Sequence, residues 1–155
     1  MADGAAPCEV WFYHLERAAP EAVLAELLEK TLARGWRARV KTTSPDRLRL
    51  LDDRLWTDRP EGFLPHGCES EANAERQPIL LGVSDENLNC SNALFLMDGA
   101  ESGPLDGYAR CIDLFDGGDP QAVQGARSRW KTAKASGLPV SYWRQTEGGR
   151  WEKQA

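Results

Sequence analysis

The sequence predicts an α/β domain whose largely parallel sheet is covered on both faces. Short apolar runs alternate with longer stretches of helical periodicity along the chain. Two of the runs, Ile79-Leu80-Leu81-Gly82-Val83 and Ala93-Leu94-Phe95-Leu96-Met97, are apolar throughout, as strands buried on both faces are. The chain shows neither an internal repeat nor a linker that would divide it, so residues 1–155 are expected to form one domain.

The first strand is read at Glu9 to Leu15, an aromatic and β-branched run. Ala18-Ala19-Pro20-Glu21 then opens a helix, with proline in the first turn and an acid behind it. Val23, Leu24, Leu27, Leu28, Thr31 and Leu32 recur at helical spacing, and Gly35 supplies the stop. Arg37 to Thr43 reads as a second strand. Thr43-Ser44-Pro45-Asp46 starts a second helix with the stripe Leu48, Leu51, Leu55, running to about Trp56.

Thr57 to Gln77 lacks periodicity and carries Pro60, Gly62, Pro65 and Gly67, the marks of a loop; residues 67–77 are its candidate mobile part, as are the first few residues of the chain. Arg110 to Phe115 is a further strand, closed by the Asp116-Gly117-Gly118-Asp119 turn. Asp119-Pro120 caps a third helix that reaches about Ser136 and stops at Gly137. Val140 to Arg144, Gly148-Gly149 and Arg150-Trp151 suggest a terminal hairpin.

Composition narrows the function. The net charge of −5, from 19 Lys and Arg against 24 Asp and Glu, argues against general phosphate-backbone binding. No apolar run approaches the roughly 20 residues a membrane span requires, and the first residues lack a signal-peptide pattern, so a cytoplasmic protein is expected. Cys8, Cys68, Cys90 and Cys111 are scattered, without C-x-x-C or histidine spacing for zinc.

Catalytic patterns are missing. There is no G-x-x-x-x-G-K-[ST], no G-x-G-x-x-G after the first strand and no G-x-S-x-G elbow. His14 and His66 are the only histidines, and neither has a triad or metal cluster near it in sequence. The expectation is a protein with no catalytic residues, cofactor or metal.

One constellation stands out. Arg127, Trp130, Lys131 and Lys134 fall within roughly a 100° sector of the third helix at about 100° per residue. Ala122, Ala126 and Ala133 lie on an adjoining face suited to close docking on the sheet. An indole bordered by three cations suits an acidic peptide with an apolar end, a carboxylate or a few nucleotides. A solvated basic face with Trp130 tucked into the core would give the same spacing. A second candidate is Trp56 with Phe63, Leu64, Pro65 and His66, large apolar groups in and beside a proline-bearing loop.

Leu55-Trp56, Arg59-Pro60 and Phe63-Leu64-Pro65-His66, followed by Ala126-Arg127-x-Arg129-Trp130-Lys131 and by Trp143…Gly148-Gly149-Arg150-Trp151-Glu152-Lys153, resemble in order and spacing the chi subunit family of bacterial DNA polymerase III. The resemblance spans Val10 to Lys153. It implies a Rossmann-like three-layer fold that binds no nucleotide, acting as a non-catalytic adaptor in the clamp-loader assembly. It also implies two partners: the acidic, phenylalanine-ended C-terminal tail of single-stranded DNA-binding protein, and the psi subunit. Carried over by position, the tail site falls on Arg127, Trp130, Lys131 and Lys134, and the psi contact on Phe63, Leu64, Pro65 and His66. DNA would be met only indirectly. The sequence departs from the family pattern at Cys68 to Gln77, and at Trp130, where the family often has tyrosine. The rival readings are a nucleotide-binding α/β enzyme and a direct single-stranded DNA binder.

Overall fold

Strand and helix form where the apolar pattern demands them. The elements run β1 (Glu9–Leu15), α1 (Pro20–Ala33), β2 (Ala38–Lys41), α2 (Pro45–Thr57), β3 (His66–Cys68), β4 (Ile79–Gly82), β5 (Ala93–Leu96), β6 (Arg110–Asp116), α3 (Pro120–Ala135), β7 (Val140–Gln145) and β8 (Trp151–Lys153). A 3-10 turn, Ala74–Arg76, precedes β4. The computed structural model describes residues 7–16, 19–57, 64–145 and 150–154. The strands form one sheet in the order β3-β4-β2-β5-β6-β1-β7-β8, parallel except for the β7–β8 pair. The Gly148-Gly149 turn expected between β7 and β8 lies outside the described residues.

The parallel centre explains the continuous apolar runs. Every residue of β4 and β5 is buried, because helices or loops lie on both sides. Leu24, Leu28, Leu51 and Leu55 of α1 and α2 pack on one face with Val40, Ile79, Phe95 and Leu114. Ala126 of α3 packs on the other with Val10, Phe12, Leu94 and Phe115. Period-two alternation along β1 therefore sends Val10 and Phe12 toward α3, and Tyr13 and Leu15 toward α1. Beyond the reach of α1, aromatic rings cover the sheet: Trp11 lies 5.7 Å from Trp143, and Tyr13 lies 4.7 Å from Trp151. The Arg110 guanidinium closes that layer 4.0 Å above Trp11.

Residues 67–77, read from the sequence as an irregular loop, contribute the end of β3 and the 3-10 turn. Glu69 fastens the segment. Its carboxylate accepts from Arg39, which is 1% exposed, and from Ser84 Oγ at 2.7 Å. A third polar pair lies under α3. Arg129 donates through Nε and Nη2 to the two oxygens of Asp113, at 2.6 and 3.1 Å, and Asp113 is 1% exposed. Burial raises the Asp113 carboxyl against the opposing pull of Arg129.

Cys8, Cys68 and Cys111 have thiols pushed upward chiefly by burial, Cys8 to about 11 and Cys68 to about 12. Such thiols are protonated at neutral pH and act as small apolar groups.

Candidate functional site

The third helix begins as its sequence requires. The Asp119 side chain accepts from Gln121 N at 3.0 Å, Pro120 follows, and Gly118 N bonds Asp116 Oδ1 at 2.8 Å. The turn is tight for a second reason: a Cβ at Gly117 would collide with the His14 ring. Glycine there lets His14 stand against the turn, on the α3 side of the sheet.

Strand register then assembles a cleft of about 380 Å³ between α3 and the β1–β7 edge. Phe12 pairs with Tyr142 and His14 with Arg144, so the last three point from the sheet toward α3. Arg127, Trp130 and Lys131 close the other wall, and Gln154 lies at one end. Gln154 N is held by Tyr142 O at 2.7 Å.

Of the four helix residues predicted from sequence, three line this cleft. Lys134 does not; it sits one turn on, with Nζ 4.6 Å from the Trp130 ring centre. The indole is half-buried and packs against the core cluster that holds Phe12, Phe115 and Ala126, so the core reading and the pocket reading both describe part of one ring. Sequence reasoning missed His14, Tyr142 and Arg144, which contribute a second aromatic wall and a further cation.

The charged side chains that line the cleft are cations. Arg127 and Lys131 are exposed, and neither has a carboxylate at ion-pair distance among the described residues. His14 Nδ1 is 2.7 Å from the Tyr142 hydroxyl. Burial, then Arg144 and Arg127, push the His14 imidazole below its ordinary value against the pull of Glu16. Burial raises the Tyr142 phenol, so the ring presents a neutral hydroxyl at physiological pH.

The His14 shift has a stability consequence. The unfolded ring binds a proton near pH 6.5 and the folded ring only at lower pH, so the unfolded state holds more protons between those values. Stability contributed by neutral His14 is present above about pH 6.5 and is lost as pH falls toward the folded value. Thermal unfolding at pH 7.5 and 5.5 is expected to show a smaller drop in Tm for His14→Gln than for the parent.

The second predicted cluster is arranged differently from its sequence reading. Leu64 is 3% exposed, and His66 is buried in β3, with ring nitrogens 2.7 Å from Leu64 O and 2.9 Å from Asp52 Oδ1. Phe63 lies outside the described residues. Among the described residues of this region, the large apolar group that is exposed is Trp56, at 49%, its ring centre 4.1 Å from that of His66. Pro65, which precedes His66 in the chain, is half-buried.

The crevice where a doubly wound fold would take a nucleotide is also open to inspection. It lies at the carboxyl ends of β5 and β6, lined by Glu21, Asp98, Asp116 and Asp119. Its cations are committed: Arg47 pairs with Asp98, and Arg129 with Asp113. A rim of carboxylates is the wrong field for phosphate. Among the described residues, no group of three or more His, Cys, Asp or Glu could hold a metal, and no helix is long and apolar enough to cross a membrane.

Comparison with known proteins decides the family. The model for "DNA polymerase III chi subunit, HolC" matches residues 8–141. The chain belongs to the DNA polymerase III chi subunit family. A relative in Pseudomonas aeruginosa, "DNA polymerase III subunit chi", is 28% identical over 132 residues, covering 83% of this chain and 91% of that one. A Rickettsia prowazekii protein, "Probable DNA polymerase III subunit chi", is 28% identical over 85 residues, covering 55% of this chain and 50% of its own length. This chi chain is thus an accessory subunit of DNA polymerase III. Of the residues lining the cleft, the matched span contains His14, Arg127, Trp130 and Lys131; Tyr142, Arg144 and Gln154 lie beyond it.

Proposed function

We propose that the α3 cleft of this chi subunit binds the acidic, phenylalanine-ended C-terminal tail of single-stranded DNA-binding protein, and so links the polymerase assembly to coated single strands in the cytoplasm. One observation carries the reading: Arg127, Lys131 and Arg144 surround a cleft walled by Trp130 and Tyr142 on a protein whose net charge is −5. An acidic tail is repelled by most of the surface and attracted to this locus, which favours docking in one place. The aromatic walls supply apolar area for a terminal ring, and the guanidinium groups can take carboxylates in bidentate fashion. Lys134 holds the outer face of Trp130 and adds to the field.

The test is an affinity measurement on Arg127→Ala with a fluorescent tail peptide. The variant is expected to fold normally and to bind about 10-fold more weakly, a loss of about 1.4 kcal/mol. Parent affinity should also fall as salt rises through physiological strength, because charges on this rim are screened within about 8–10 Å. Unchanged binding by Arg127→Ala would remove the site assignment.

For the psi subunit, we assign the contact to the surface around Trp56 and Pro65, with Leu64 and His66 supporting it from inside. The exposed indole is the observation that favours this placement.

A further inference from the structure

Glu16, at the end of β1, has its carboxylate in reach of the cleft. Its Oε1 accepts from Arg144 Nε at 2.7 Å and lies 2.6 Å from Arg144 Nη2. The same oxygen is 3.3 Å from His14 Nε2, on the far side of the ring from the Tyr142 bond. Arg144 and His14 line the cleft; Glu16 stands behind them. Of the strong cations lining the cleft, Arg144 is therefore already engaged by a carboxylate of the chain itself, while Arg127 and Lys131 have none at ion-pair distance among the described residues.

We propose that Glu16 is a built-in competitor for this cleft: it holds Arg144 in the empty protein, and an incoming aromatic carboxylate displaces it and takes the guanidinium over. The inference rests on the cleft being an anion site, and it adds how that site is regulated and which further residue, Arg144, reads the ligand. Displacement is inexpensive. The Arg144 and Glu16 side chains are 54% and 35% exposed, and pairs in such surroundings contribute little stability. A ligand carboxylate held beside Trp130 and Tyr142 meets the same guanidinium in a less hydrated setting, where the bond is stronger. The Arg144 hydrogen bond, the first of several causes, keeps the Glu16 carboxyl below its ordinary range, so the competitor is ionised at neutral pH.

A competitor and a positioning residue predict opposite signs. If Glu16 competes, Glu16→Gln tightens binding of a phenylalanine-ended acidic peptide by about two- to fivefold, the range expected on releasing an exposed pair. If it merely orients Arg144, the same change weakens binding. Glu152 pairs in register with Arg144 across the β7–β8 ladder, so Glu152→Gln makes the same charge change nearby and measures the general electrostatic gain.

The experiment follows peptide affinity by fluorescence anisotropy for the parent, Glu16→Gln and Glu152→Gln. In parallel, the Arg144 Nε–H resonance is followed by NMR while N-acetyl-phenylalanine is added. Competition predicts a larger gain for Glu16→Gln than for Glu152→Gln, and an Arg144 resonance that responds at lower N-acetyl-phenylalanine in Glu16→Gln than in the parent. Equal gains in the two variants, a loss in Glu16→Gln, or an Arg144 signal unmoved by the small carboxylate would each overturn the competitor. Peptide binding that leaves Arg144 on Glu16 sinks this inference and spares the tail reading. An Arg144 response to N-acetyl-phenylalanine that Glu16→Gln sharpens, with no peptide binding, does the reverse.

Discussion

An Arg129→Ala protein is expected to unfold at markedly lower urea concentration, with a stability loss of about 3–5 kcal/mol. Asp113 is 1% exposed and takes both of its bonds from Arg129, so removing the guanidinium strands a carboxylate beneath α3. The loss stems from the orphaned charge rather than from the worth of the pair. Replacing both partners by apolar groups, Asp113→Leu with Arg129→Met, should therefore be less damaging than Arg129→Ala alone. Urea unfolding followed by tryptophan fluorescence measures all three proteins. A loss below about 1 kcal/mol for Arg129→Ala would mean that the pair is hydrated rather than buried.

The other large effect concerns binding. Reversing two charges, Arg127→Glu with Lys131→Glu, puts carboxylates where the structure presents exposed cations at the cleft. The double variant is expected to bind an acidic tail peptide at least about 100-fold more weakly, about 2.7 kcal/mol or more, because two attractions become two repulsions. Both side chains are exposed, so Tm should move by only a few degrees. Weakened binding with preserved folding is the signature of a surface site. Retained affinity would place the tail elsewhere.

Arg127 and Arg129 show how much the sequence disclosed and where reading it fell short. Both belong to one short motif, yet one faces the cleft and the other faces Asp113. The distinction was available. Ala122, Ala126, Arg129 and Ala133 follow the i, i+4, i+7, i+11 spacing of a single helix face, so a cation among docking alanines signals a buried pair. The central strands were legible for a related reason, since burial on both faces leaves β4 and β5 uninterrupted by polar residues.

The rest of the cleft was not legible, because it depends on which strands become neighbours. His14 and Tyr142 are 128 residues apart, and only the placement of β7 beside β1 brings them to 2.7 Å. No local pattern encodes that adjacency. β3 escaped for want of length: three residues, one a glycine, carry no periodicity. Its neighbour Glu69 looked like part of a polar loop because its partner, Arg39, is 30 residues away and buried.

The account's central claim is that the α3 cleft reads an acidic chain end that finishes in an aromatic residue. The most direct measurement is fluorescence anisotropy of a peptide of about ten residues copying the tail of the host's single-stranded DNA-binding protein, beside the same peptide without its final phenylalanine. The account predicts saturable binding of the full peptide, weakened by salt, and loss of most of that binding when the phenylalanine is removed. Equal binding of the two peptides would contradict it, leaving the cations as a general acidic-surface contact with no role for the Trp130–Tyr142 walls.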